Sequence, residues 1–422
     1  MSGPGSSSPS TNDSLTGSAP RGSRRRGLST GVAVAVAVVL LIVGIGAGYV
    51  AGKYYGGSSS SSGTSPGGCS TTISETGSSL IYPYLQILSP NYTAQNPGIC
   101  LSPESTGSGT GISSAESGVV DIGGTDAYLL PTTASQYNLI NVPIAISSQL
   151  VVYNIPGITQ HLNLNGTILS MIYQGAITTW NNPLIAAANP GVTLPGNTIV
   201  PIHRSDGSGD TFMWTSLCYL SWSGWTHSYG TTISWPIGPG ADGNSGMVTT
   251  LSSTPYGIAY IGISYLSEVR ADSSLQYAAL GDQNANYNGQ VSTSGAGQQN
   301  YIMPTAQNIS EDANLGLQNL EPPSVAISLI LGGVPGATNL VLGKGGTNAT
   351  AAYPTPYPDT NLEYTLISTH PSSSAHQKWV VNFLEWALTY GGTYAPSANF
   401  LPLTAEVIGY DMLALNAVPV SA

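Results

Sequence analysis

Beyond residue 70 the chain alternates short apolar runs with polar, glycine-rich breaks, and the apolar spacing switches between two periods. Runs rich in Val, Ile, Leu and Tyr read as strands at residues 98–103, 119–123, 142–154, 199–203, 257–261 and 363–368. TTIS, residues 71–74 shortly after Cys69, reads as a further strand. Between the strands, apolar positions three and four apart predict helices over 79–88, 112–117, 167–173, 183–189 and 376–390. The last of these places Trp379, Phe383 and Trp386 on one face. Another helix begins at Asp210 or Thr211, where Phe212, Met213, Trp214, Leu217 and Leu220 recur. Residues 282–360 are loop-rich, and no internal repeat is visible. Strands alternating with helices predict an α/β fold.

The first 70 residues follow a different pattern. Residues 1–30 are rich in Ser, Gly and Pro and read as a disordered tail. Residues 32–51 form an uncharged apolar run of 20, enough to span a bilayer. Arg21, Arg24, Arg25 and Arg26 precede that run and Lys53 follows it. This asymmetry predicts a cytoplasmic N-terminus with the rest of the chain outside. The length favours a retained transmembrane anchor, with a cleaved signal peptide as the alternative. A Gly/Ser tether over 53–69 completes the segment.

Composition narrows the class. Charged residues make up only 7% of the 422 residues, far below the usual quarter. Beyond residue 57 the cations are Arg204, Arg270, Lys344 and Lys378, set against 19 of the 20 acidic residues. A surface of that sign excludes nucleic acid as a partner. So few charges also suit an acidic habitat, since little is left to titrate. Three cysteines in an extracellular chain make a disulfide plausible. Cys69 and Cys100 open two strand-like runs and would meet if those strands were parallel neighbours. Lipid modification of Cys69 is the rival, although 18 residues separate it from the apolar run. Cys218, inside an apolar helix, reads as a buried thiol. Asn91, Asn165, Asn308 and Asn348 head N-x-[ST] sequons.

The chemistry concentrates in HRSDGSGDTFMW, residues 203–214. A strand delivers Arg204, a Gly/Ser loop follows, and a helix begins. Helix N-termini present unpaired N–H groups and the positive end of the dipole. Gly207 and Gly209 allow close backbone approach, Ser208 adds a hydroxyl, and Arg204 brings a planar fork for two oxygens. Such a set suits a tetrahedral anion. TGSSL and STGSGTG also stand between a strand and a helix. Loops at the carboxyl ends of strands are where open α/β sheets bind ligands.

These segments lie within a longer resemblance over roughly residues 73–403. TGSSLIYPYL, STGSGTGISSAESGVVDIGGTDAYL, LNGTILSMIYQGAITTWNNPLIAAANPGVTLP, IVPIHRSDGSGDTFMWTSLCYL, WPIGPGADGNSGM and YGIAYIGISYL carry it, in order. The chain resembles the phosphate-binding protein of the high-affinity phosphate ABC transporter. The resemblance implies a two-lobed type II periplasmic-binding-protein-like fold with a ligand cleft between lobes, here preceded by one N-terminal transmembrane helix. The implied lobes are 70–152 plus 362–422, and 153–361, with crossings near 151–153 and 361–365. It implies phosphate contacts from Ser79, the Leu80 amide, Ser108, Asp126, Arg204, Ser208, Gly209 and position 210. Asp126 matches the acceptor of the proton on phosphate, and Asp206 the carboxylate that orients Arg204. Asp210 departs from the family, which usually has threonine. It is expected to cap the helix by accepting from the Met213 amide, with Thr211 supplying the missing hydroxyl.

The implied partners are inorganic phosphate and the transporter's permease subunits, with membrane attachment through the N-terminal helix. No cofactor is expected. The five histidines lack metal spacing such as H-E-x-x-H, and no G-x-S-x-G nucleophile pattern occurs. LVLGKGGT fails as a phosphate loop, because Thr338 stands where its first glycine belongs. The expectation is therefore a binding protein, with a phosphatase-like hydrolase or a receptor for another oxyanion as alternatives.

Overall fold

The computed structural model describes residues 68–281, 301–317 and 357–420. The tail at 1–30, the apolar run at 32–51, Lys344 and Asn348 lie outside the described residues. Among the described residues no helix is long and apolar enough to cross a membrane.

Among the described residues twelve strands form two sheets: β1 Thr71–Gly77, β2 Ile99–Ser105, β3 Ile122–Thr125, β4 Leu139–Asn154, β5 Asn163–Leu164, β6 Val200–Arg204, β7 Gly240–Ala241, β8 Gly257–Gly262, β9 Gln276–Tyr277, β10 Ala279–Gly281, β11 Tyr301–Ile302 and β12 Thr360–Ser368. The helices are α1 Tyr82–Gln95, α2 Ser108–Glu116, α3 Pro131–Gln136, α4 Gly166–Tyr173, α5 Pro183–Ala188, α6 Gly209–Ser221, α7 Gly243–Ser252, α8 Leu266–Ala271, α9 Ala306–Leu317, α10 Ser374–Thr389 and α11 Ala405–Asn416. The main sheet runs β2-β1-β3-β12-β4-β8-β6-β7, and β9 adds to β4. β1, β2 and β3 are mutually parallel where they pair, as are β6, β7 and β8. The antiparallel pairings of β4 join the two groups into a two-lobed α/β arrangement.

β4 is the strand everything else is built on. Leu139 to Ser148 pair with β12, and Gln149 to Asn154 pair with β8. The change of partner falls between two residues, Ser148 and Gln149. Fifteen of its 16 residues are buried, as expected of a strand covered on both faces. Ser147, Ser148 and Gln149 interrupt its apolar run at the point where the partner changes.

Two elements differ in extent from the pattern reading. α1 starts at Tyr82, with Pro83 in its first turn, and continues through Pro90 to Gln95. Proline lacks an N–H and favours a stop, but Leu88 and Tyr92 are buried on either side of it, and Tyr92 packs edge-on against Phe383 and Trp386. α2 starts at Ser108 rather than Ile112, so part of the STGSGTG loop is the first helical turn. On α10 the buried stripe is Val380, Phe383, Leu384 and Ala387, while Trp379 is an exposed aromatic. Of the three aromatics placed on one face, Phe383 and Trp386 are buried and Trp379 is not.

Cys69 and Cys100 form a disulfide with Cα atoms 5.7 Å apart, tying the chain two residues before β1 to the second residue of β2. Cys218 is a buried free thiol.

Candidate functional site

Strands β1, β2, β3 and β6 deliver four loops to the region where β4 changes partners. The β2 and β6 loops touch backbone to backbone. The Gly109 amide donates to the Gly207 carbonyl at 2.8 Å. A side chain on Gly109 would sit 3.0 Å from the Gly207 Cα, so glycine permits the approach. Asp126, after β3, packs on Gly209 in the first turn of α6, leaving no room for a Cβ there.

Asp126 is buried and accepts from two hydroxyls: Ser78 Oγ reaches Oδ1, and Ser108 Oγ reaches Oδ2 at 3.3 Å. Asn361 on β12 holds the Asp126 carbonyl at 2.6 Å. The Leu80 amide, which resemblance assigns to the ligand, donates to Ser78 Oγ at 3.0 Å. Ser78 was missed in the sequence, hidden as one of two adjacent serines in TGSSL.

Arg204 is buried between two carboxylates. Its Nε donates to Asp206 Oδ1 at 2.7 Å and its Nη2 to Asp206 Oδ2, a two-point grip. Its Nη1 donates to Asp210 Oδ2 at 2.7 Å. Burial alone would lower the guanidinium pKa; the Asp206 hydrogen bonds, then the charges of Asp210 and Asp206, outweigh it and raise the value. Asp206 therefore orients Arg204.

Asp210 does not cap α6. Ser208 is the cap, its side chain accepting from the Thr211 amide at 3.3 Å. Asp210 instead points inward, 0% exposed. Its Oδ1 accepts from Gln149 Nε2 at 3.0 Å, and its Oδ2 accepts from Asn244 Nδ2 and Arg204 Nη1, both at 2.7 Å. A buried arginine attracts the carboxylate more strongly than a single backbone amide could. Burial, then the nearby Asp126 charge, raise the Asp210 carboxyl to about 6, against the lowering effect of Arg204, Gln149 and Asn244. The Thr211 hydroxyl bonds the Tyr260 hydroxyl at 2.8 Å. Tyr260 OH also accepts from the Arg204 amide at 2.9 Å.

Ser79 joins the network through Asn244, on α7. The Asn244 side-chain amide also donates to Asp210 Oδ2, and its Oδ1 accepts from the Gly262 amide at 2.8 Å. Gln149 and Asn244 were not singled out from the sequence. The polar break SSQ within the apolar β4 run was the available signal for Gln149. Nothing local marked Asn244. The fold thus gathers Ser79, Asn244, Asp210, Arg204 and Asp206 into one connected set. Ser78, Asp126 and Ser108 form a second set, in contact with α6 through Gly209. Among the described residues no cluster of His, Cys, Asp and Glu could hold a metal ion.

Comparison with known proteins agrees with this architecture. Residues 60–312 match the PBP superfamily domain. A "Phosphate-binding protein PstS" of Xylella fastidiosa is 30% identical over 343 residues, covering 80% of this chain and 83% of its own length. Its namesake from Pasteurella multocida is 29% identical, covering 80% and 88%. Among solved structures, a high-affinity periplasmic phosphate-binding protein bound with phosphate (PfluDING) superposes with a TM-score of 0.59 at 20% identity, covering 80% of this chain and 92% of its own. A phosphate ABC transporter substrate-binding protein from Clostridium perfringens gives 0.50 at 16% identity, covering 79% and 100%. Four convergent strand-end loops around a buried arginine, on a sheet that doubles through one long strand, have these proteins as their relatives, and the chain belongs to the PstS family of phosphate-binding proteins within the PBP superfamily.

Proposed function

We propose that this protein captures inorganic phosphate between its lobes and delivers it to an ABC-transporter permease, as a binding protein and not an enzyme. The observation that carries the reading is Asp126. It is a buried carboxylate, already accepting two hydroxyl hydrogens, at the junction of two Gly/Ser loops and a helix start. Ser79, Ser108, Ser208 and the amides around Leu80 and Gly209 would surround the anion, with Arg204 as its countercharge and Asp206 behind it. A carboxylate among these donors suits an anion that brings its own proton. Sulfate brings none, and would leave two acceptors facing each other.

The two lobes are read as 70–152 plus 362–422, and 153–361, with crossings on β4 and at the start of β12. Residues 31–52 would anchor the chain, with residues 1–30 cytoplasmic and the binding domain outside the cell on its tether. That arrangement would keep the captured anion close to the permease. A hydrolase is not favoured, since the relatives are named as binding proteins.

Titration calorimetry with phosphate, sulfate and a phosphate monoester tests the reading. Phosphate should bind and sulfate should not, and Asp126→Asn should relax the difference. Equal binding of sulfate by the parent protein would rule the reading out.

A further inference from the structure

Glu363 lies on β12, fully buried, one residue before Tyr364, which pairs with Thr125. That register sets Glu363 beside Asp126, close enough for the two carboxyl groups to act on each other. Ser147 Oγ, from β4, donates to Glu363 Oε1. Oε2 receives no N–H or hydroxyl donor. The charged and titratable groups that bear on Glu363 are Asp126 from the loop after β3, Asp210 from α6 and the neighbouring Tyr364. None is a cation, and Arg204 is held by Asp206 and Asp210.

Two carboxyl groups this close and away from water cannot both be charged; they share one proton. The surroundings decide where it rests. Asp126 takes two hydroxyl hydrogens and lies at the N-terminal, positive end of α6. Glu363 takes one hydroxyl hydrogen inside the sheet. Burial and the Asp126 charge both push its carboxyl well above the ordinary range.

We propose that Glu363 is a neutral carboxylic acid that donates its proton to a hydrogen bond with Asp126, and that this bond fixes Asp126 as an acceptor toward the ligand. The inference rests on the phosphate reading above and adds a specificity-positioning residue to it. With the Glu363 proton in place, Asp126 is charged and has a lone pair for the proton of phosphate. Without that donor, the Asp126 carboxylate loses the partner that holds it in place and can turn away from the anion. The unpaired acceptor that sulfate would meet is then lost, and sulfate binds more nearly as phosphate does. Phosphate-over-sulfate discrimination thus depends on a residue that need not touch either anion.

The experiment compares the full-length protein with Glu363→Leu and Glu363→Gln, titrated with inorganic phosphate and with sulfate at pH 5, 7 and 9 by design. Leucine removes the donor, and should cut the phosphate-to-sulfate affinity ratio by about tenfold or more, the worth of one charge-assisted hydrogen bond. Glutamine keeps a neutral N–H donor and should rescue most of the ratio. A folded leucine variant with the parental ratio, or a glutamine variant as impaired as leucine, overturns the inference. Should leucine not fold, infrared difference spectra decide. A protonated-carboxyl stretch at neutral pH, present in the parent and missing in Glu363→Gln, supports the inference, and its absence from the parent overturns it. A parent that binds no phosphate refutes the functional reading itself; a parent that binds phosphate and rejects sulfate while Glu363→Leu is unchanged refutes only the role of Glu363.

Discussion

Asn244 donates to Ser79 Oγ twice, through its backbone amide and its side-chain amide, each at 3.1 Å. Ser79 follows β1, and Asn244 lies on α7 beyond β7, so the pair joins loops from the two halves of the sheet. With its oxygen accepting both bonds, the Ser79 hydroxyl is left to donate elsewhere. Asn244→Ala should therefore release Ser79, and strand the buried Gly262 amide that its Oδ1 now satisfies. The expected loss is about 1–3 kcal/mol in stability, with faster phosphate release. Thermal melts and stopped-flow dissociation check both, and an unchanged off-rate would show that the Ser79 link is not part of the site.

Arg204→Ala should be costlier. It leaves the buried Asp210 and the partly buried Asp206 without their countercharge, a loss of about 3–5 kcal/mol by comparison with other broken buried pairs. Phosphate binding should vanish with it. Near-parental phosphate affinity in a folded Arg204→Ala protein would remove the arginine from the site.

Asp210→Asn should act in the opposite direction on binding. It removes a negative charge beside the anion and leaves Arg204 with one carboxylate partner instead of two. Affinity for phosphate and sulfate should rise together, by about tenfold, while the melting temperature falls. Calorimetry with both anions tests this; a change in the phosphate-to-sulfate ratio alone would assign Asp210 the role given to Asp126.

Stability should decline as pH rises. Burial lifts Glu75 from an ordinary 4.5 to about 8, with the Glu104 charge adding to it and backbone amides opposing. Asp210 is lifted from 3.8 to about 6, and burial also raises Asp359 and Asp411. Between the two values the unfolded chain gives up a proton that the native state keeps. Each such group thus contributes stability that is complete below its unfolded value and is lost as pH rises through its folded value. Glu75, 2% exposed, should account for on the order of a few kcal/mol between pH 4.5 and about 8. Melting curves across that range should fall with pH, and Glu75→Gln should flatten them. A melting temperature that climbs from acid to alkali would refute the assignment. The direction matches the acidic habitat suggested by the sparse surface charge.

Reduction of Cys69–Cys100 should destabilise the domain by about 3–4 kcal/mol, the loop-closure estimate for a separation of 31 residues. Melts with and without a reducing agent measure it, and identical curves would mean that the bond constrains nothing.

The sequence by itself determined the α/β architecture and the Gly/Ser loops at the strand ends, though not every residue in them that matters. Hydrophobic period distinguishes strand from helix locally, so the alternation predicted α/β, and the Gly/Ser breaks marked the strand ends from which Ser79, Ser108, Arg204 and Ser208 project. What the sequence could not decide was which partner each polar group would choose, because that depends on residues far along the chain. Asp210 in isolation has the look of a helix cap; folding brings Gln149, Arg204 and Asn244 to it, and a buried cation with two amides outweighs one backbone N–H. Trp379 fits an apolar period, yet packing against β4 and α1 turned the neighbouring Val380 and Phe383 inward. Glu363 has no local mark at all. It sits 237 residues from Asp126 in the sequence, and only the antiparallel register of β12 on β3 sets the two carboxyl groups side by side. Local pattern reports propensity and periodicity. Charge pairing in a buried site is set by distance in space, and only the tertiary structure supplies it.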